Sequence, residues 1–185
     1  AKNKLDIAII DKLSEKKIKN PNVDGREIAL THQSVKILKD LDLWKCISNK
    51  SISLIKEARV LDGDSSYFLN FKHNEIEKDN LGYLIPNHII KKKIYNELTK
   101  FPNIKLFSKS ECLSIEPNTN YSTITLSNGK KIKSSLVVAA DSRFSKMRKK
   151  MGISAFIHDF NKNMIVCRMK HEKLHKNIAY EFFRY

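Results

Sequence analysis

The segment with the clearest chemical potential is an apolar run that ends on an acid. Leu136–Ala140 is apolar and too short for a helix core, a pattern typical of a strand buried on both faces of a parallel sheet. Asp141 would lie at the carboxyl edge of that sheet, before a helix predicted to begin at about Arg143. Ligands bind at this edge in open α/β folds, where Asp141 would accept hydrogen bonds from sugar or polyol hydroxyls. Alternatively, Asp141 only caps the helix, since Asp is a preferred N-cap residue.

A second pattern with possible chemistry is H-E-x-x-H, formed by His171, Glu172 and His175. On a helix, this spacing brings two imidazoles to one face for Zn²⁺ and holds the Glu as a general base. Here strand-like residues flank the pattern on both sides, and only Glu181 follows as a further acidic ligand. The context predicts a connection between strands and no metal site, which leaves a zinc metalloprotease as the less favoured alternative.

The remaining sequence predicts a mixed α/β fold. Amphipathic helices are predicted at Gly25–Leu41 and Asn87–Leu98, and Asp62-Gly63-Asp64 is a strong hairpin signal. Strands are predicted at Asp6–Asp11, Ser53–Leu61, Ser66–Phe71, Ile104–Phe107, Ser110–Ile115, Tyr121–Leu126, Lys130–Ile132, Ser154–Phe160, Met164–Met169 and Ile178–Tyr185.

Composition argues against two classes of function. The chain has 185 residues and a net charge of +15, but its basic residues are scattered and form runs only at Lys91–Lys93 and residues 146–150. A nucleic-acid interface would cluster them with Arg or aromatic residues, so we expect no nucleic-acid partner. Cys46, Cys112 and Cys167 are too widely spaced for a zinc ribbon or a disulfide framework, and a reducing cytoplasm fits. The charge is compatible with weak attraction to anionic membrane surfaces.

Four segments, taken in order and spacing, carry a resemblance to a known family. They are Asp11 at the end of a predicted strand, residues 24–44, residues 81–94 and the segment around Asp141. Together they resemble the flavin-dependent aromatic hydroxylases with the p-hydroxybenzoate hydroxylase fold. Within that family the chain is most similar to the ubiquinone-biosynthesis hydroxylases that act on polyprenylated phenols. Residues 163–183 also resemble this subfamily, where they belong to the sheet of the substrate domain.

The resemblance implies a cofactor-binding role for four residues. Asp11 would accept the adenosine ribose hydroxyls of FAD, and Arg26 would lie near its pyrophosphate and ribityl chain. Asn87 would reach the same region, and Asp141 would hydrogen-bond the ribityl chain. From the residues alone, Asp11 is equally a polar strand end, Arg26 a surface residue at a helix start and Asn87 a simple N-cap.

The resemblance also implies a domain organisation. Residues 1–152 would be an FAD-binding, Rossmann-like domain with inserted strands, and residues 153–185 would begin the mixed β-sheet of a substrate domain. The family's glycine-rich G-x-G-x-x-G turn would precede Ala1, so we expect an incomplete FAD-binding domain and an internal fragment of a hydroxylase. Ser142 replaces the glycine of the family's Asp-Gly motif, and Arg148 matches the later arginine of that motif.

The implied activity is an FAD-dependent monooxygenation of a polyprenylated phenol, through a peroxyflavin and with NAD(P)H as reductant. The sequence shows no catalytic acid or base. We expect a cytoplasmic protein, peripheral to the inner membrane, and expect the 185-residue chain alone to be inactive. A basic, non-catalytic binding domain is the further alternative.

Overall fold

The computed structural model describes residues 5–142, 144–163, 165–167 and 169–184. The chain divides into two compact units, each built from two stretches of sequence. Unit 1 contains residues 1–18 and 101–164, and unit 2 contains residues 19–100 and 165–185. The predicted domains, 1–152 and 153–185, stay a prediction.

Short strands and helices alternate along the described residues. The helices are α1 (Glu15–Lys19), α2 (His32–Asp40), α3 (Asn87–Leu98) and α4 (Lys146–Lys150). The strands are β1 (Ile7–Ile10), β2 (Glu27–Leu30), β3 (Ser53–Ile55), β4 (Glu57–Asp62), β5 (Phe68–Lys72), β6 (Gly82–Pro86), β7 (Ile104–Phe107), β8 (Cys112–Pro117), β9 (Ser122–Leu126), β10 (Lys131–Ser134) and β11 (Ile178–Phe183). Short 3-10 helices lie at Trp44–Cys46, Asn49–Ser51 and His73–Ile76. The predicted mixed α/β class is confirmed.

Unit 1 contains a parallel pair of strands and an antiparallel meander. β1 runs parallel to β7, with Ile7 opposite Ile104, and β8, β9 and β10 form a three-stranded antiparallel sheet. Ile124 and Leu126 on β9 are buried and form the centre of this sheet's apolar packing. The β9–β10 turn contains Gly129 at φ +80°, a conformation that glycine adopts without steric cost.

Unit 2 contains two three-stranded sheets. In the first, β6 lies between β2 and β3 and is antiparallel to both. In the second, β4 lies between β5, which is antiparallel to it, and β11, which is parallel to it. The buried apolar residues of this unit are Val35, Ile47, Ile85 and Tyr95.

Several predicted elements match the structure closely. Helix α3 has the predicted bounds, and so does β7. β4 and β5 pair across the predicted turn, in which Gly63 has a φ of +50°. Ser53–Leu61 is broken into β3 and β4, which belong to different sheets. The predicted strand around Ile7–Ile10 is present and parallel to its partner.

The predicted helix Gly25–Leu41 is wrong in its first part. Residues from Glu27 to Leu30 form β2, and α2 begins only at His32. The Thr31 side chain accepts a hydrogen bond from the Ser34 backbone N–H at 3.2 Å, which starts the helix there. The apolar residues before Thr31 pair with β6 instead, so a tertiary contact overrides the helical period.

The predicted strand Leu136–Ala140 is also wrong. These residues are not in a strand, and the side chains of Leu136 and Val138 are 75% and 77% exposed. A parallel strand needs a hydrogen-bonding neighbour, and none of the strands among the described residues pairs with this segment. The helix predicted from about Arg143 begins at Lys146, and Arg143 itself lies outside the described residues.

The last two predicted strands before β11 are likewise not formed. Ser154–Phe160 has no strand and leaves Phe156 93% exposed. Of the strand predicted at 164–169, residues 165–167 and 169 are described and form no strand, and residues 164 and 168 lie outside the described residues. Alternating apolar residues favour a strand but do not supply the partner that it needs.

Candidate functional site

Two of the four predicted cofactor-binding residues meet in unit 2, where strands β2 and β6 lie side by side. Glu27 pairs with Pro86 in the antiparallel register, so the residues just before β2 lie beside the first residue of α3. The Asn87 backbone N–H donates to the Arg26 carbonyl oxygen at 3.0 Å. The fold therefore brings Arg26 and Asn87 together although they are far apart in sequence.

A third residue, Asp24, joins their side chains. The Asp24 Oδ2 atom accepts hydrogen bonds from Arg26 Nε at 2.9 Å, Arg26 Nη2 at 2.5 Å and Asn87 Nδ2 at 2.8 Å. Its Oδ1 atom accepts from the Arg26 backbone N–H at 3.2 Å. Gly25, between the acid and the arginine, has a φ of +70°, which lets the chain turn so tightly. We call Asp24, Arg26 and Asn87 the Asp24 cluster.

The electrostatics of the Asp24 cluster follow from these contacts. Hydrogen bonds from the side chains of Arg26 and then Asn87 lower the pKa of Asp24 from 3.8 to about 2. Asp24 is therefore ionised at neutral pH and forms an ion pair with Arg26. The Arg26 side chain remains 56% exposed, which leaves part of its guanidinium accessible to a ligand.

Two clefts adjoin the Asp24 cluster within the same unit. The first is lined by Val23, Gly25, Arg26, Glu27, Pro86 and His88. The second has a volume of about 220 Å³ and is lined by Glu27, Lys50, Ser51, Ser53, Pro86, His88 and Ile89. The first combines Arg26 and His88 with one acid, and the second combines Lys50, His88 and two serines with the same acid. The second therefore offers both donors and acceptors to polar ligand groups.

Asp11 lies in unit 1, at the carboxyl end of β1, as predicted. Its Oδ1 atom accepts a hydrogen bond from the Leu13 backbone N–H at 2.7 Å. Its own backbone continues the strand pairing, with Asp11 N–H donating to the Phe107 carbonyl oxygen at 3.0 Å. The acid is thus at the edge of a parallel strand pair, and its role toward a ribose stays a prediction.

Asp141, also in unit 1, is at the start of helix α4. Its Oδ2 atom accepts from the Met147 backbone N–H at 3.1 Å. The Ser145 hydroxyl and then the Met147 N–H lower the pKa of its carboxyl group. The N-cap residue of α4 is Ser145, whose side chain accepts from the Arg148 N–H, so Asp141 supports the first turn of the helix without being its N-cap. A role of Asp141 toward flavin stays a prediction. Among the described residues, no hydrogen bond or ion pair joins Asp141 to Asp11.

The residue after Asp141 has an unusual backbone. Ser142 has a φ of +144°, a conformation that favours glycine, and it occupies the position of glycine in the motif that this segment resembles. Further along, Arg148 Nη1 donates to the Ile153 carbonyl oxygen at 2.5 Å and closes the turn after α4. This contact gives Arg148 a structural role.

The H-E-x-x-H pattern lies in a loop, not a helix. The His171 and His175 rings are 5.3 Å apart between centroids. His175 Nδ1 accepts a hydrogen bond from the Asn177 backbone N–H at 3.0 Å. No group of three or more His, Cys, Asp or Glu side chains among the described residues is arranged to hold a metal ion.

Sequence reasoning missed Asp24. The signal was local, an acid and an arginine separated by one glycine in Asp24-Gly25-Arg26. That spacing permits an Asx-type turn in which the carboxylate bonds the backbone two residues later. The contact with Asn87 could not be read from the sequence, because it depends on the pairing of β2 with β6.

Comparison with known proteins gives the same assignment for nearly the whole chain. It is 37% identical over 185 residues to the ubiquinone hydroxylase UbiM of Neisseria meningitidis, covering 98% of this chain and 40% of the relative. It is 26% identical over 183 residues to the ubiquinone hydroxylase UbiL of Rhodospirillum rubrum, covering 99% of this chain and 42% of the relative. The predicted resemblance to the flavin-dependent aromatic hydroxylases is confirmed.

A solved structure shares the fold. The structure superposes on PqsL from Pseudomonas aeruginosa, a probable FAD-dependent monooxygenase, with a TM-score of 0.66 at 9% identity, over 82% of this chain and 40% of that one. At this identity the likeness shows the fold alone. No protein-family model matches the chain. The chain spans about two fifths of the length of the curated relatives it matches.

Proposed function

We propose that this chain is part of an FAD-dependent monooxygenase of ubiquinone biosynthesis that hydroxylates a polyprenylated phenol, with NAD(P)H as reductant. The observation that carries the proposal is the 37% identity to a ubiquinone hydroxylase along 98% of this chain. The matched stretch spans every position that we assign to the cofactor.

The Asp24 cluster fits the polar part of FAD. FAD carries a pyrophosphate, which accepts hydrogen bonds, and ribityl and ribose hydroxyls, which both donate and accept them. The accessible guanidinium of Arg26 is a permanently charged donor suited to phosphate oxygens. The Asn87 amide can donate to phosphate or exchange hydrogen bonds with hydroxyls. The residues present therefore match the chemical groups of this cofactor.

The two acids of unit 1 keep the roles that the resemblance implies for them. Asp11 would accept hydrogen bonds from the adenosine ribose, and Asp141 from the ribityl chain. A carboxylate accepts hydroxyl hydrogens and repels phosphate, so both acids suit the hydroxyl-bearing parts of the cofactor. When bound and reduced by NAD(P)H, FAD would supply the electrons and the oxygen activation for the hydroxylation. The protein residues bind and orient it.

We further propose that the protein works at the surface of a membrane, where a polyprenylated substrate dissolves. Net charge of +15 would attract it to anionic headgroups. No helix among the described residues is long and apolar enough to cross a bilayer. A vesicle sedimentation assay with and without anionic lipid tests this attraction, and equal binding to neutral vesicles would contradict it.

Genetic complementation tests the proposed activity. The complete open reading frame that contains this chain would be expressed in bacterial strains that each lack one ubiquinone hydroxylase, and the quinones would be extracted and separated by mass. We expect ubiquinone to be restored, and Arg26→Ala to reduce it. Asp42→Asn is the matched control, because Asp42 is a surface acid paired with Lys45 at 3.1 Å in the turn after α2.

Two outcomes would count against the proposal. An expressed, stable product that restores no ubiquinone would refute the assigned reaction. Full restoration by Arg26→Ala would remove this residue from the cofactor site while leaving the reaction itself in place. The deletion strain in which ubiquinone is restored identifies the ring position that the protein hydroxylates.

A further inference from the structure

Asp24 is not among the residues that the resemblance assigns to the cofactor, and it is less exposed than the arginine that it contacts. Its side chain is only 28% exposed, half the exposure of the Arg26 side chain that it holds. One of its oxygens accepts hydrogen bonds from three side-chain N–H groups. Two belong to Arg26 in the loop before β2, and one belongs to Asn87, the first residue of α3. This carboxylate therefore joins two elements of the same unit, the loop before β2 and the start of α3.

The contacts leave a defined set of donors for a ligand. A guanidinium has five N–H bonds. Asp24 takes the one on Nε and one of the two on Nη2. The side chain of Asn87 gives one of its amide hydrogens to the same oxygen. What remains are the Nη1 hydrogens and the outer Nη2 hydrogen of Arg26, and the second amide hydrogen of Asn87.

Fixing these donors in advance has an energetic consequence. An exposed arginine without a partner samples many rotamers, and binding a ligand would have to order it. Here the ion pair orders the guanidinium before any ligand arrives, which removes that cost from the binding step. The pair also has no net charge, so attraction to a ligand depends on directed N–H bonds and less on charge alone.

We propose that Asp24 is a positioning residue: its carboxylate aligns Arg26 and Asn87 so that both present their remaining donors to the phosphate-bearing part of a nucleotide cofactor. The inference rests on the proposed function for the identity of that ligand. It assigns to Asp24 no direct contact with the cofactor. Its effect is exerted through the two side chains that it holds.

The first experiment uses NMR to test, in the absence of ligand, whether Asp24 holds the Arg26 side chain in place. The Nε–H proton of Arg26 should give a distinct signal that exchanges slowly with water. In Asp24→Ala this signal should broaden or exchange at least about tenfold faster, and in Asp24→Asn, which keeps an acceptor oxygen, the change should be smaller. Arg59, whose Nε donates to Glu57 at 2.6 Å in another sheet, is the internal reference.

The second experiment measures the consequence for binding by calorimetry on the full-length protein that contains this chain, with inorganic pyrophosphate and with FAD as probes. We expect Asp24→Ala to raise the Kd of both by about tenfold, Asp24→Asn to raise it less, and Asp42→Asn to leave it unchanged. If Asp24→Ala fails to fold, the Asn variant and the exchange rate in the unmodified chain still carry the test.

The outcomes separate this inference from the proposed function. An Arg26 signal that is unchanged in both Asp24 variants would overturn the positioning role. So would a lost signal with unchanged or tighter ligand binding, because Asp24 would then compete with the ligand. If the full-length protein that contains this chain binds neither FAD nor pyrophosphate while the Arg26 signal still depends on Asp24, the proposed cofactor assignment fails, and the ligand named in this inference fails with it.

Discussion

Replacement of Ser142 by glycine should stabilise the protein. Ser142 has a φ of +144°, and a non-glycine residue in such a conformation costs about 1–3 kcal/mol. Glycine removes that strain but gives the unfolded chain more freedom, which costs about 0.5–1 kcal/mol. We therefore expect Ser142→Gly to raise the free energy of unfolding by about 1 kcal/mol. For a chain of this length that corresponds to a rise of about 2–4 °C in Tm.

Urea titration followed by circular dichroism measures the change, and calorimetry gives the Tm. The matched control is Ser154→Gly, since Ser154 is exposed and has an ordinary negative φ. There glycine brings only the entropic cost and should lower stability. If Ser142→Gly lowers the unfolding free energy as much as Ser154→Gly does, then the strain at Ser142 is absent and the reasoning is wrong.

Three further changes follow from the geometry. Gly82→Ala should lower the free energy of unfolding by about 1–3 kcal/mol, because the Cβ of the new alanine would lie 2.9 Å from a backbone carbonyl oxygen of β2. An unchanged midpoint of urea unfolding would contradict this. The Asp24 carboxyl should titrate with a pKa of about 2. Its contribution to stability is therefore fully present above about pH 4 and is lost as the pH falls toward 2. A pKa near 3.8 in a titration of the carboxyl carbon followed by carbon-13 NMR would refute the ion pair. The double variant His171→Ala and His175→Ala should change stability by less than about 0.5 kcal/mol, and one tightly bound zinc per chain, lost in that variant, would revive the metalloprotease interpretation.

Local signals in the sequence predicted local structure well. Helix α3 follows Pro86 with a regular apolar period, and the β4–β5 hairpin contains the glycine that its turn requires. Both elements are specified by neighbouring residues, so no distant contact was needed to predict them. The resemblance placed Ser142 at a glycine position but did not predict its backbone conformation, which the structure shows at a φ of +144°.

Elements that depend on distant pairing were predicted poorly. Residues 27–30 fit a helical period, but β6 captures them as a strand. Leu136–Ala140 has the composition of a buried strand but is exposed, since no strand among the described residues pairs with it. For the same reason Arg26 and Asn87 could be assigned only by resemblance, while Asp24, the residue that links them, was not recognised.

The division of the chain into two interleaved units has a consequence for how it folds. Ile7 must find Ile104 to complete one parallel pair, and Glu57 must find Ile178 to complete the other. Each pairing joins strands that lie roughly a hundred residues apart in the sequence. Bringing them together costs the chain conformational entropy before the new contacts compensate for it. During synthesis, β1 would leave the ribosome long before β7, and β4 long before β11. We expect the β4–β5 hairpin to form early and the two parallel pairs to form late, with slow overall folding that leaves apolar strands open to chaperones in the meantime.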